Sequence, residues 1–89
     1  MNYSVETSLR FEKEFRKLDR YTQLMIKAWI DKNLESCEDP RRLGKGLTAN
    51  RSGQWRYRIG DYRLICHIED EKLAILALTI GHRGEIYKD

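Results

Sequence analysis

The sequence has few cysteines, the residues whose disulfides stabilise small exported proteins, and it has no long apolar run. Only two of its 89 residues are cysteine and one is proline. Two cysteines are too few for a disulfide framework, and the first residues show neither the basic nor the apolar region of a signal peptide. No stretch approaches the roughly 18 consecutive apolar residues of a membrane-spanning helix. We therefore expect reduced thiols, a cytoplasmic location and no membrane association.

Length and composition indicate one folded domain covering residues 1–89. Hydrophobic residues make up 40% of the chain and charged residues 35%. This is too apolar for a disordered chain and too polar for a membrane protein. The chain is long enough to fold around one small core, but too short for two.

The positive charge is concentrated in one segment. The formal net charge is only +3, but residues 41–63 carry seven basic side chains and one acidic side chain. Six of the seven are arginine, which binds phosphate through a planar fork of N–H groups. Such a segment attracts a polyanion, either a nucleic acid or an acidic protein.

The first 40 residues predict a strand followed by a helical hairpin. Tyr3 to Glu6 alternate as in a strand, and Thr7 and Ser8 provide a helix N-cap. Asp19 provides a second cap, and the second helix ends before Pro40. Apolar residues recur at helical spacing in both segments: Phe11, Phe15 and Leu18 in the first, and Tyr21, Leu24, Met25, Ala28 and Trp29 in the second. Ile26, Ile30 and Leu34 widen the second stripe.

The remaining residues predict a loop and three strands. The segment from Arg41 to Gly53 has loop-like composition, and the spacing of apolar residues then changes to two. Gly60-Asp61 forms a tight turn between two alternating strands. Leu73 to Ile80 is an almost continuous apolar strand, and we expect Gly81 to end it. The fold class is therefore α+β, with a small, antiparallel-rich sheet in the order strand, helix, helix, strand, strand, strand, packed on an N-terminal helical hairpin.

Alternation also predicts which side chains share a face. Apolar residues of the two hairpin strands would face the helices: Trp55, Tyr57, Tyr62, Leu64, Cys66 and Ile68. Arg56, Arg58, Arg63 and His67 would then face away. Like charges that lie opposite each other destabilise a sheet. Such a cluster is tolerated when a polyanion neutralises it. The segment after Gly81 would bring His82, Arg83 and Tyr87 to the rim of the same surface.

These residues resemble a known family. The segment QWRYRIGDYRLI at residues 54–65, followed by IGHR at 80–83 and EIY at 85–87, resembles the RelE/ParE superfamily of bacterial and archaeal toxins, and its RelE branch most closely. The resemblance implies the toxin of a type II toxin–antitoxin system, a ribosome-dependent endoribonuclease that cleaves mRNA in the ribosomal A site. It implies a RelB-like cognate antitoxin, the ribosome and mRNA as partners, and no cofactor.

Carried over residue by residue, the resemblance selects the site. Arg63, His82, Arg83 and Tyr87 would be catalytic, with Arg56 and Arg58 at the family's basic pair on the strand. Lys45 and Arg51 in the preceding loop are further candidate RNA contacts. The 2′-OH of the substrate would attack the neighbouring phosphorus without a metal ion. Arginines would stabilise the added negative charge, and His82 is the candidate for proton transfer.

Other readings remain open. Arginine cannot lose its proton as the lysine of relatives can, so Tyr87 and Lys45 also compete for the role of general base. A toxin of the ParE type that inhibits DNA gyrase without cutting RNA is the alternative function, and an RNA-binding accessory domain is a third. No metal site is expected, because Cys66 and His67 point to opposite faces of a strand and the basic segment contains one carboxylate.

Overall fold

The structure is a computed structural model that describes residues 1–47 and 53–82. Within them the elements are β1 (Ser4–Thr7), α1 (Leu9–Arg16), α2 (Arg20–Asn33), β2 (Lys45–Gly46), β3 (Gln54–Ile59), β4 (Tyr62–Glu69) and β5 (Ala74–His82), with a 3-10 turn at Asp70–Lys72. The predicted α+β fold is confirmed. The two-residue strand β2 is an addition, because it lies in the segment that was predicted as loop.

The helical hairpin is fixed by side chains that bind free backbone groups at the helix ends. The Ser8 hydroxyl accepts a hydrogen bond from the Phe11 amide at 3.0 Å. Asp19 does the same for the Thr22 amide at 3.3 Å, so both predicted N-caps are confirmed. The Gln23 side-chain amide donates to the carbonyls of Phe15 and Leu18, both at 3.0 Å. The turn between α1 and α2 is therefore closed by hydrogen bonds from α2.

The five strands form one sheet in the order β1-β5-β4-β3-β2. β1 pairs with β5 in parallel, and the other neighbours pair antiparallel. The register between β4 and β5 shifts by one residue at Ile65 and Cys66. This bulge changes which residues of β5 share a face with the helices.

The core lies between the helical hairpin and one face of the sheet. Phe11, Ile26 and Leu34 from the helical side are almost fully buried. They meet a set of buried strand residues: Tyr57, Ile59, Leu64, Cys66, Ile75, Ala77 and Ile80. Burial of a large apolar side chain contributes about 1.5–3 kcal/mol, so this layer is the main source of stability.

The apolar stripe predicted on α2 is partly wrong. Tyr21 and Leu24 are 76% and 57% exposed, and Ala28 is also exposed. Ile26, which was predicted to widen the stripe, is buried as expected, and Thr22 is the other buried residue of this helix. The apolar positions of α2 cover more than half of its circumference, so spacing alone could not show which arc faces the sheet.

Gly81 does not end the last strand, contrary to the prediction. β5 continues to His82, with Gly81 opposite Arg63 and His82 opposite Tyr62 on β4. The backbone hydrogen bonds of a paired strand outweigh the weak strand preference of one glycine.

Candidate nucleic-acid interface

The face of the sheet turned away from the helices carries four cationic side chains. Lys45 lies directly opposite Arg56, and Arg58 lies directly opposite Arg63. Tyr57, Leu64 and Cys66 occupy the alternate positions of β3 and β4 and lie in the core. Since successive side chains of a strand point to opposite faces, the four cations share the far side. We call Lys45, Arg56, Arg58 and Arg63 the cationic face.

Electrostatic repulsion is built into this surface. Directly opposite side chains on antiparallel strands have Cβ atoms about 4.5–5.5 Å apart, and like charges there are destabilising. Across residues 1–47 and 53–82, no carboxylate forms an ion pair with Lys45, Arg58 or Arg63. Arg63 donates instead to the Tyr62 carbonyl at 3.4 Å. The guanidiniums of Arg58 and Arg63 are thus available to an external anion.

A buried apolar residue lies beneath the cations. Ile65 is on the same face as the cations, opposite Arg56 on β3 and opposite Thr79 on β5. It is only 1% exposed. Arginine stems cover apolar surface while their guanidiniums stay in solvent. The burial of Ile65 on this face is what such coverage would produce.

Lys45 reaches the cationic face because Gly44 lets its segment approach β3. Gly44 has φ +81°, and a Cβ added there would lie 2.3 Å from the carbonyl oxygen of Arg56. Only glycine combines this dihedral with so close an approach. The Trp55 indole N–H donates to the Leu43 carbonyl at 2.7 Å and fixes the same segment. The sequence prediction of a plain loop missed the pairing of Lys45 with Arg56, and Gly44 was the available signal.

Tyr57 anchors the start of this segment from inside the core. Its hydroxyl donates a hydrogen bond to the Pro40 carbonyl, and its ring lies 5.6 Å from the ring of Trp29. Burial raises the pKa of Tyr57, so the hydroxyl stays protonated as a donor. The prediction that Tyr57 faces the helices is confirmed, and Trp29 is partly buried against the same core.

Arg41 does not belong to the cationic face, although it lies in the basic segment. Its guanidinium binds both oxygens of Asp70, each at 3.0 Å, and lies 5.9 Å from the centre of the Trp55 ring. The Tyr3 hydroxyl donates to the same carboxylate at 2.6 Å. The hydrogen bonds from Arg41 and Tyr3 lower the pKa of Asp70. Arg41 therefore ties the segment before β2 to the turn after β4.

His82 lies at the end of the sheet rather than on the cationic face. It is opposite Tyr62, and the two rings meet edge to face with centres 5.5 Å apart. Tyr62 packs against the core, so His82 points to the helix side, whereas Arg63 points to the far side. The prediction that His82 lies at the rim of the arginine surface is therefore wrong, because the register places its side chain on the other face of the sheet. Arg51, Arg83 and Tyr87 lie outside the described residues.

The structure also bears on whether the chain could hold a metal ion. In the described part of the chain, no three His, Cys, Asp or Glu side chains are grouped closely enough to hold one. Cys66 is fully buried and burial raises the pKa of its thiol, whereas His67 is exposed. The two residues therefore point to opposite faces, as the alternation predicted.

Neither described helix has the length and apolar character that crossing a membrane requires.

Comparison with known proteins identifies the family. Residues 5–87 match the family described as the ParE toxin of type II toxin–antitoxin system, parDE. The chain belongs to this toxin family. Toxin RelG of Mycobacterium tuberculosis (strain ATCC 25618 / H37Rv) is 38% identical over 50 residues, which are 56% of this chain and 58% of RelG. The alignment thus spans little more than half the length of that curated relative.

Solved structures of RelE toxins have the same fold. The toxin–antitoxin complex RelBE2 from Mycobacterium tuberculosis contains a chain that matches with a TM-score of 0.84 and 26% identity, covering 93% of each chain. The isolated E. coli RelE toxin matches with a TM-score of 0.68 and 25% identity, covering 96% of this chain and 90% of RelE. The resemblance to the RelE/ParE superfamily, first noted from the hairpin and the Gly-His-Arg segment, is confirmed.

Proposed function

We propose that this toxin is a ribosome-dependent endoribonuclease that cleaves mRNA in the ribosomal A site without a metal ion. The observation that carries the proposal is the cationic face, in which Arg58 and Arg63 lie opposite each other. Two guanidiniums at this spacing form an anion site between neighbouring strands. A phosphate bound there would neutralise the repulsion that the sheet otherwise carries.

The cationic face would bind the RNA backbone. Lys45 and Arg56 form one opposed pair, and Arg58 and Arg63 form the next pair along β3. Residues two apart on a strand are about 6.6 Å apart, so the two pairs would hold successive parts of the backbone. Arg51 is a further proposed RNA contact from the same part of the sequence.

The proposed reaction is an internal transfer of the phosphoryl group. The 2′-oxygen forms a bond to the neighbouring phosphorus and loses its proton to a base. The bond from phosphorus to the 5′-oxygen breaks, and that oxygen receives a proton from an acid. The products are a 2′,3′-cyclic phosphate and a free 5′-hydroxyl. Arg63 and Arg83 would stabilise the charge on the intermediate oxygens, because a guanidinium stays protonated throughout.

The proton-transfer residues are proposed as His82 and Tyr87. His82 lies at the end of β5, one strand from Arg63, and an imidazole can donate or accept a proton near neutral pH. It would act from the end of the sheet on RNA that passes over the edge of the cationic face. Tyr87 would act as the base if nearby guanidiniums favour its ionised form, or it would orient the 2′-OH or stack on a base.

The proposed partners are the ribosome, mRNA and a RelB-like antitoxin. The solved relatives include toxin–antitoxin complexes from Mycobacterium tuberculosis and E. coli. An antitoxin that covers the cationic face with acidic side chains would block RNA binding through charge complementarity. A segment that folds on contact would suit this role.

The test is translation of a defined mRNA by purified ribosomes, with cleavage mapped by primer extension. Discrete cuts at the A-site codon are expected from the parental toxin, and none from the toxin with free mRNA. Arg63→Ala should lower the single-turnover cleavage rate by about 100-fold, because one stabilising donor of the transition state is lost.

The matched control is Arg16→Ala, which removes the same charge from the exposed end of α1. It should cleave at the parental rate. Equal rates for Arg63→Ala and the parental toxin would overturn the assignment of the cationic face. Intact mRNA with a parental toxin that still arrests growth would overturn the nuclease proposal.

A second candidate function is inhibition of DNA gyrase. The match to the ParE toxin family over residues 5–87 favours it. A toxin of this kind would need no proton-transfer pair, so His82→Ala would leave its toxicity unchanged. Trapped gyrase–DNA complexes in treated cells, together with uncut mRNA, would distinguish this function from the first.

A further inference from the structure

Among residues 1–47 and 53–82, no strand pairs with one edge of the end of β5. β1 pairs with β5 only from Ala74 to Ala77, whereas β5 continues to His82. β4 occupies the other edge along this whole length. The backbone groups of residues 78–82 that point away from β4 therefore need other partners, since a buried unpaired amide is costly.

Helix α1 supplies those partners from both of its ends. The Ser8 hydroxyl donates to the Leu78 carbonyl at 2.9 Å. Further along, one carboxylate oxygen of Glu14 accepts from the Ile80 amide at 3.0 Å and from the Thr79 hydroxyl at 2.6 Å. Ile80 is 3% and Thr79 is 9% exposed. Glu14 is thus the group that satisfies this part of the edge.

The other oxygen of Glu14 is also held. It accepts from the Arg10 guanidinium at 3.2 Å, and the Glu14 side chain is 30% exposed. The two oxygens therefore accept from different partners: Oε1 accepts from β5 and Oε2 accepts from Arg10. This arrangement fixes the rotation of the carboxylate and makes it a rigid link from α1 to β5.

We propose that Glu14 is a positioning residue of the toxin, because its carboxylate fixes the end of β5 that presents His82 and leads directly into Arg83. Glu14 binds β5 two residues before His82. On the opposite edge, Gly81 and His82 are paired with Arg63 and Tyr62. The end of β5 is therefore held from both sides, by β4 and by Glu14. The catalytic part of this inference rests on the proposed nuclease function.

The variants that test the inference differ in which hydrogen bonds they keep. Glu14→Gln retains an Oε1 that accepts from both Ile80 and Thr79, and it loses only the ion pair with Arg10. Glu14→Leu removes the acceptor and keeps the size of the side chain. Glu12→Gln is the control, since Glu12 is on the same helix and accepts from the Thr7 hydroxyl rather than from β5.

Single-turnover cleavage on ribosomes should separate these variants. Glu14→Leu should lower kcat by about 10- to 100-fold with KM within about twofold of the parent, because misplacement of a reacting group affects the chemical step and leaves the cationic face intact. Glu14→Gln and Glu12→Gln should stay within about threefold of the parental kcat. Parental kcat for Glu14→Leu, or equal loss for Glu14→Leu and Glu14→Gln, would overturn the proposal.

An NMR measurement keeps the test independent of the nuclease. In the parental toxin the His82 ring signals should be shifted by the ring current of Tyr62, and the Ile80 amide should exchange slowly. Both features should be lost in Glu14→Leu and kept in Glu14→Gln. Unchanged His82 signals and Ile80 exchange in Glu14→Leu would overturn the positioning role. Absence of cleavage by the parental toxin would instead count against the nuclease function alone.

Discussion

Arg58 and Arg63 lie directly opposite each other on neighbouring antiparallel strands, on the side of the sheet that the helices leave uncovered. The pair destabilises the free toxin through repulsion of like charges, and under the proposed function it binds a phosphate of the RNA. Stability and RNA binding should therefore respond in opposite directions when either arginine is replaced.

Replacing Arg58 with glutamine should stabilise the toxin and weaken its binding to RNA. Removal of a like-charge pair across two strands should raise the free energy of unfolding by about 0.2–1 kcal/mol. The loss of one phosphate contact should make the negative slope of log K against log salt less steep, by about 0.7 for single-stranded RNA. Thermal unfolding and RNA titrations at several salt concentrations measure the two effects. Arg16→Gln is the control, and a drop in stability for Arg58→Gln would contradict the argument.

Replacing Gly44 with alanine should destabilise the fold more than the same change at Gly53. Both glycines have positive φ, at +81° and +91°, so alanine is strained at each, by about 1–2 kcal/mol. At Gly44 the new Cβ also meets the Arg56 carbonyl oxygen at 2.3 Å, whereas at Gly53 nothing lies within 4 Å. Denaturant midpoints of the two variants provide the comparison. Equal losses would show that β2 moves aside without cost.

Acid should release the link between Arg41 and Asp70. The pKa of Asp70 is lowered from 3.8 by hydrogen bonds from Arg41 and Tyr3. A carboxyl group with a lowered pKa in the folded state contributes its full stabilisation well above pH 3.8. That stabilisation is lost as the pH falls below 3.8 through the folded-state pKa. Denaturant midpoints at pH 6 and pH 3 should therefore differ more for the parental toxin than for Asp70→Asn. An equal difference in the two proteins would show that Asp70 does not contribute to the loss of stability in acid.

The two thiols should react at different rates with a thiol-specific reagent. Burial raises the pKa of both Cys37 and Cys66, but only Cys66 is fully buried. In the native toxin Cys37 should react slowly, and Cys66 should react only when the protein unfolds. Labelling kinetics of the Cys37→Ser variant test this, because Cys66 is its only thiol. The folded variant should not be labelled at all. Rapid labelling of that variant would mean that the β4 layer opens without global unfolding.

The sequence predicted the features that depend on local chemistry. Ser8 and Asp19 were recognised as caps because their side chains bind amides three residues away. The outward direction of Arg58 and Arg63 followed from strict alternation, which holds along β3 and along β4 at least to His67. These features need no knowledge of the rest of the fold.

The features that were missed depend on partners far away in sequence. β2 is two residues long and contains Gly46, so only its pairing with β3 defines it as a strand. The bulge at Ile65 and Cys66 determines which side chains of β5 beyond it face the helices. Because that strand is apolar almost throughout, its sequence does not show which side chains these are. As a result, the side of the sheet on which His82 lies could not be read from the sequence.

The order of strands in the sheet has a consequence for folding during synthesis on the ribosome. β5, the last of the described strands to be synthesised, lies between β1, the first, and β4. The nascent chain can form its helices and the β3–β4 hairpin early, but β1 has no neighbour in the sheet until β5 emerges. The sheet is therefore completed only after residue 82 has left the ribosome, so a product interrupted before β5 leaves the facing edges of both β1 and β4 unpaired.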